Sequence, residues 1–376
     1  MIVKLAIRNL LHDRARFLVT LIGVLFAVVL LAVQLGLYLG ARKMISGMVA
    51  HTTGDIWIAA YGANSFEQAP ILTGRERFLA LSVPGVASVS PLVVSFSGWR
   101  KPDSGTVNVI VIGADAETGE GSLKPWNIVE GAAAPTLQDG VIVDRTYAKM
   151  LGVSGVGDMA EIAGQRVRVE GFTNGIRSFT TSPFIFTSTK KAREILSVPP
   201  DQATFYIVNL LPGANAAQVR QELAAKLPDV SVYTKAQFLK LNLDYWLFGT
   251  GAGVALLGGA LLGLVIGTVI VAQTLYSSTK DHLTEFATLR ALGSSSSYIH
   301  KVILVQAIVS AVIGFAIGIA VSLVVAQFSE VTPMPIVLTP LLAVLLLGAT
   351  VAMCSISAIA SIFKVTKIDP AMVFAR

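Results

Sequence analysis

The stretch YWLFGTGAGVALLGGALLGLVIGTVIVAQTLYSST, Tyr245–Thr279, contains no Asp, Glu, Lys or Arg and decides the fold class. About 20 apolar residues suffice for a helix to cross the roughly 30 Å of bilayer hydrocarbon. Three other charge-free stretches surround it in the chain: Phe17–Ala41, Val302–Ser329 and Val331–Phe363. Lipid offers no partner for backbone N–H and C=O groups, so stretches of this length and composition read as helices. One such stretch would suit the core of a soluble enzyme; four predict a membrane protein. The whole composition agrees. Of 376 residues 53% are hydrophobic and only 14% charged, against about a quarter charged in an average soluble domain.

Working outward, the connections between the apolar stretches carry the charge. Residues 1–16, 276–301 and 364–376 hold ten cations and four acids. The loop 327–335 has one acid, Glu330, and no cation, while 42–244 is nearly neutral with 19 cations and 18 acids. Positive connections stay inside, which predicts both termini inside and the large segment outside. The net charge of +6 is thus a topology signal and not a nucleic-acid footprint. The first apolar stretch exceeds the 7–15 residues of a signal-peptide core and no A-x-A site follows, so it reads as a retained anchor.

The predicted organisation is an amphipathic helix at 1–16, membrane helices at 17–41, 245–275, 302–326 and 336–363, and an extracytoplasmic domain at 42–244. A cytoplasmic loop at 276–301, a short outer loop at 327–335 and a tail at 364–376 complete it. At the N-terminus Ile2, Leu5, Ala6, Asn9 and Leu10 recur in helical period beside Lys4, Arg8 and His12, the pattern of a helix lying on a membrane surface.

Residues 42–244 predict an α+β fold. Strands are read at Asp55–Ala60, Thr106–Gly113, Gly140–Val143, Gln165–Glu170, Phe184–Thr187 and Thr204–Leu210. Helices are read at Thr146–Leu151, Thr189–Leu196 and Ala216–Leu227, the last capped by Asn215. Strand, helix and strand over 204–233 read as a βαβ-like unit. Asp144, Asp158 and Glu161 read as solvated acids. The domain has one histidine, His51, and no cysteine, so a Ser-His-Asp triad would need His51, and no nucleophile elbow lies near it. His51 reads as an interfacial residue.

The single cysteine, Cys354, excludes an internal disulfide and any CxxC motif. His12, His51, His282 and His300 leave little material for a metal site. No G-x-x-x-x-G-K-[ST] occurs, so no cofactor or nucleotide site is expected in this chain. The apolar stretches lack ionisable residues, which disfavours ion-coupled transport. Gln34, Gln273 and Gln306 read as glue between helices. Gly259, Gly263 and Gly267, and Ser310, Gly314, Gly318 and Ser322, form small-residue stripes for close helix approach, within a subunit or across a dimer. Tyr38, Tyr245, Trp246 and Phe248 fall near the expected outer interface. With Gln34 they are the candidate substrate contacts, although an aromatic belt explains them as well.

The loop STKDHLTEFATLRALGSSSSYIHK, Ser278–Lys301, carries the functional motif. Asp281 can cap a short helix with Leu283, Phe286, Ala287 and Arg290 on one face, ended by Gly293. Its HLTEFATLRALG resembles the E-x-x-x-L-[RK]-A-[LM]-G signature of the FtsX/MacB-type ABC transporter permeases. The ending SIFKVTKIDPAMVFAR resembles that family's terminal pattern. The opening LAIRNLLHDRARFLVTLIGVLFAVVLLAVQLGLYLG looks most like the DevC branch, with the heme-exporting HrtB permeases as close relatives.

The resemblance implies a homodimeric permease acting as a mechanotransmitter, bound to a separate cytosolic ABC ATPase that holds ATP and Mg. It assigns Glu285, Phe286, Leu289, Arg290 and Gly293 to the ATPase-coupling segment and implies a MacB-like periplasmic domain in a bacterial inner membrane. The leading expectation is an ABC exporter of a hydrophobic or lipid-like compound. DevC-type relatives imply a HlyD-type periplasmic adaptor and an outer-membrane duct; HrtB-type relatives imply heme as cargo and no adaptor. An FtsX-like regulator of a cell-wall hydrolase is the alternative from another class, and a membrane-anchored enzyme has the least support.

Overall fold

The computed structural model describes residues 2–102, 105–114, 123–281 and 295–365. The chain divides into two compact units. An apolar unit holds residues to Leu39, Val254–Glu330 and those from Pro335, and an α+β unit holds Gly40–Gly253 with Val331–Met334.

The apolar unit is helical. Helix α1 is Ile2–His12 and α2 is Arg14–His51, whose residues from Gly40 belong to the α+β unit. The remaining helices of the α+β unit are α3 (Arg75–Leu81), α4 (Ala148–Leu151), α5 (Thr189–Leu196), α6 (Ala216–Lys226) and α7 (Lys235–Asp244). A π-helical turn follows at Tyr245–Gly249. Then come α8 (Ala252–Asp281), α9 (Ser296–Ser329) and α10 (Pro340–Val365). Four of these, α2, α8, α9 and α10, are long and apolar enough to cross a membrane.

These helices overrun the charge-free stretches because charge does not end a helix where the side chain can reach water. Arg42 and Lys43 are exposed inside α2. The third crossing, read at 302–326, likewise lengthens to Ser296–Ser329. The second expected crossing, by contrast, starts late. Its first residues form the π turn, Gly251 takes the left-handed φ of +79° that favours glycine, and α8 begins only at Ala252. Residues Ile336–Thr339, read as part of the fourth helix, are not helical. Thr339 caps α10 by accepting from Leu342 N at 3.1 Å, with Pro340 in the first helical position.

Helix α2 is the packing centre of the apolar unit. A Cβ on Gly259, Gly263 or Gly267 of α8 would lie 2.5–3.0 Å from Gln34, Leu30 or Ala27 of α2. On α9, a Cβ at Gly314 or Gly318 would meet Val24 or Val28 at 2.6 and 2.8 Å. The glycines of both stripes therefore pack within the chain. Ser357 and Ser361 of α10 donate across to the carbonyls of Thr268 and Ala272 in α8 at 2.9 and 3.2 Å. The non-helical residues beside Gly36 are tied on both sides. Val337 N donates to Gly36 O at 3.0 Å, and Ile336 N to Ser329 Oγ at 2.8 Å. Helix α1 packs on α9 through buried Ala6, leaving Val3, Ile7 and Leu11 exposed.

The α+β unit is built on a ten-stranded mixed sheet in the order β10-β1-β9-β2-β3-β8-β5-β7-β4, with β6 pairing β2 and β7. The strands are β1 (Ile56–Ala60), β2 (Val86–Arg100), β3 (Thr106–Gly113), β4 (Ile128–Gly131) and β5 (Gly140–Asp144). They continue with β6 (Met159–Ile162), β7 (Gln165–Thr173), β8 (Phe184–Thr187), β9 (Phe205–Leu210) and β10 (Val230–Thr234). Strand β2 serves both halves: Val86–Leu92 pairs with β9 and Val93–Arg100 with β3. The βαβ expectation is corrected in one respect. Strands β9 and β10 both pair antiparallel with β1, which lies between them.

Strand alternation sends Val109, Val111, Ile56 and Ile58 into one core, with Ala80, Ala192, Ile195, Val219 and Leu223 from α3, α5 and α6. Ile110, Ile112, Trp57 and Phe205 enter a second core, with Met48 and Val49 from α2, Phe66 and Phe238. Asp144, expected to be solvated, is 1% exposed. Its carboxylate accepts from Thr146 N, Thr173 Oγ1 and Ile176 N at 2.7–3.0 Å, which offsets the cost of burial.

Candidate functional site

The second core of the α+β unit is closed by the chain segments that enter and leave it, and the polar groups there form a joint. The end of α2 is capped by Lys235, whose ammonium donates to the carbonyls of Ala50 and Thr52 at 3.0 and 2.7 Å. A cation there satisfies the unpaired carbonyls and the negative helix end. Lys235 opens α7, whose start is fixed by a capping box between Thr234 and Gln237. One turn from the end of α7, Asn242 is fully buried and bridges two segments. Its Nδ2 donates to Ile45 O in α2 at 3.0 Å, and its Oδ1 accepts from Phe66 N at 3.1 Å. Trp57 stacks on Phe238 at 4.4 Å between centroids and Phe66 on Phe205 at 6.0 Å.

The π turn extends the joint. Trp246 Nε1 donates to Glu67 Oε2 at 3.0 Å, and Tyr245 Oη to Gln68 Oε1 at 3.2 Å. The Trp246 indole also meets the Phe179 ring edge-on at 5.6 Å. Glu67 is 5% exposed. Burial raises its carboxyl above the ordinary value, against the opposing hydrogen bonds from Trp246, its own backbone and Ser65. His51 stacks flat on Trp126 at 3.7 Å, with Nδ1 at 2.8 Å from Gly47 O.

The candidate substrate contacts divide between the units. Gln34 and Tyr38 belong to the apolar unit and Tyr245, Trp246 and Phe248 to the α+β unit. The Gln34 amide lies over Gly259. Tyr245 and Trp246 are brought together in the joint, and Phe248 is half exposed. The coupling residues Glu285, Phe286, Leu289, Arg290 and Gly293 lie outside the described residues. Sequence reasoning missed Glu67, Asn242 and Lys235. The capping box at Thr234 and Gln237 was a legible signal for α7; the partners of Glu67 and Asn242 are 176 to 197 residues away in the chain, apart from the neighbouring Ser65. Among the described residues no three His, Cys, Asp or Glu gather to hold a metal ion.

An α+β unit set between the first and second of four apolar helices defines a membrane protein with a large inserted domain. Comparison with known proteins makes this specific. The MacB-like periplasmic core domain matches residues 17–226, and the FtsX-like permease C-terminal region matches residues 257–370. The chain belongs to the MacB/FtsX-type family of ABC transporter permeases. An uncharacterized ABC transporter permease of Mycobacterium tuberculosis is 25% identical over 382 residues, 98% of each chain. A second from that organism is 24% identical over 377 residues, again 98% of each. Among solved structures, the periplasmic region of MacB from Actinobacillus actinomycetemcomitans matches 51% of this chain and 92% of its own, at 13% identity and TM-score 0.37. The extracellular domain of the transporter YknZ from Gram-positive bacteria matches 48% and 98%, at 12% identity and TM-score 0.35.

Proposed function

We propose that this chain is the permease subunit of an ABC exporter that acts by mechanotransmission on a hydrophobic or lipid-like substrate, driven by a separate ATPase. In this reading the protein is a homodimer in the bacterial inner membrane with both termini in the cytoplasm. ATP and Mg are held by the partner, against which Glu285, Phe286, Leu289, Arg290 and Gly293 bear. Tyr38 and Phe248 meet the substrate or the lipid interface, and Trp246 and Tyr245 hold the joint.

One observation carries the reading: α2 is a single unbroken helix of 38 residues that contributes to both units. At 1.5 Å per residue it is about 57 Å long, stiff enough to relay displacement. The central stretches of all four long helices are free of Asp, Glu, Lys and Arg, which supports relay of force over conduction of ions. The test is enzymatic. The purified chain is expected to hydrolyse no ATP until an ABC ATPase subunit is added, and substitution of Glu285 and Arg290 together is expected to uncouple the pair. Robust hydrolysis by the chain alone overturns the proposal. Capture on the α+β unit distinguishes the finer arrangements: a HlyD-type adaptor supports a DevC-like exporter, and a cell-wall hydrolase an FtsX-like regulator.

A further inference from the structure

At the start of α2, Arg16 gathers acceptors from two other places in the chain. Its guanidinium pairs with the carboxylate of Asp281, the last described residue of α8, and Nη1 lies 3.4 Å from the carbonyl of Ser277, one turn earlier. Nε is 3.2 Å from Asp13, the residue between α1 and α2, whose Oδ1 also accepts from Arg16 N at 3.3 Å. Arg16 therefore ties α8, at Ser277 and Asp281, to the corner where α2 begins. A planar five-donor fork can serve all these acceptors at once, which a lysine ammonium cannot do with the same geometry.

The position matters because the chain continues from Asp281 straight into the coupling segment. We propose that Arg16 is the positioning residue through which displacement of the coupling segment enters α2. This rests on the mechanotransmission reading above and names its point of entry. The pair is poorly suited to a purely stabilising role. Arg16 and Asp281 are 36% and 51% exposed, and ion pairs in water contribute about 0–1 kcal/mol. Loss of the pair therefore leaves a folded protein in which the start of α2 is no longer tied to Asp281 of α8.

The experiment uses the full chain assembled with its ATPase in lipid nanodiscs. Cys354→Ala removes the native thiol, and Lys43→Cys, an exposed position on α2, carries an environment-sensitive fluorophore. The readout is the signal change on adding ATP and vanadate, beside the rate of ATP hydrolysis. Arg16→Gln and Asp281→Asn are each expected to diminish the fluorophore response about fivefold or more, the lower end of ordinary coupling factors. The exchanged pair, Arg16→Asp with Asp281→Arg, is expected to recover more than half of it.

A response within about twofold of the parent in either single variant overturns the proposal, as does an exchanged pair no better than the singles. A fall in melting temperature of more than about 5 °C in both single variants also overturns it, because the pair is then structural. Failure of the parent complex to show either ATPase stimulation or a signal change strikes the mechanotransmission reading instead, so the two failures are told apart.

Discussion

In the α+β unit the largest fully buried side chains are Trp57, Trp99, Tyr147, Tyr206, Phe66 and Phe172. In the apolar unit the buried cluster around α2 has, among the described residues, no aromatic side chain: Val24, Val28, Val271, Leu275, Ile303 and Met353 alternate with Ala27, Ala307, Ala311, Cys354 and Ala358, with glycines at the closest approaches. The two cores meet different solvents. Water drives large apolar side chains together roughly in proportion to the area they bury. Hydrocarbon does not, so helices there gain by bringing backbones close and filling space evenly. A sequence rich in glycine is thus not a loosely packed one. The glycines between α2 and its neighbours mark where the packing is tightest.

The strongest way to break this comparison is to remove bulk from the α+β core. Trp57→Ala opens a cavity beneath Phe66, Phe205 and Phe238 and is expected to cost about 3–5 kcal/mol, read from denaturant unfolding. In the apolar unit the reverse change should hurt. Gly314→Leu drives a side chain into Val24 and is expected to cost about 1–3 kcal/mol, partly recovered by Val24→Ala. Gly258→Ala, which meets nothing within 4 Å, should be nearly neutral in the same denaturant unfolding. If Gly258→Ala is as damaging as Gly314→Leu, contacts within the chain do not set the cost.

Glu67 sharpens the comparison through pH. Its folded-state carboxyl is raised from 4.5 chiefly by burial, so its contribution to stability is fully present below about 4.5 and is lost as pH rises through the folded value. Glu67→Gln is accordingly expected to raise the melting temperature at pH 7.5, with the gain shrinking as pH falls toward 4.5. A constant difference across that range would show that the carboxyl does not titrate with folding. Among the variants expected to lose stability, Ser357→Ala loses least. Its bond to Thr268 O crosses between helices, and such bonds in membrane proteins average about 0.6 kcal/mol.

Much of the framework was legible before any coordinates. The four apolar helices followed from stretches without charge, and Thr106–Gly113, Phe184–Thr187 and Thr189–Leu196 form as read. Asn215 caps α6 through Ala217 N and Gln218 N. Strand β2 was missed because Ser88, Ser90, Ser95, Ser97 and Pro91 dilute its alternation; neighbouring strands on both sides supply what its own pattern lacks. The crossing at Tyr245 was misjudged for a similar reason. Hydropathy counts aromatic residues as apolar, whereas Trp246 and Tyr245 are held by hydrogen bonds to Glu67 and Gln68. The joint itself was invisible, since its partners are brought together only by the fold.

The glycine notches around α2 have a mechanical consequence. Gly259, Gly263 and Gly267 face it from α8, Gly314 and Gly318 from α9, while its own Gly23 and Gly36 receive Ile270 and Ile336. Advancing α2 by one residue turns its surface by about 100° and would set side chains where only hydrogen atoms fit. The helix is seated like a splined shaft in its hub: a twist or a thrust at one end cannot slip past its neighbours and must carry α8 and α9 along.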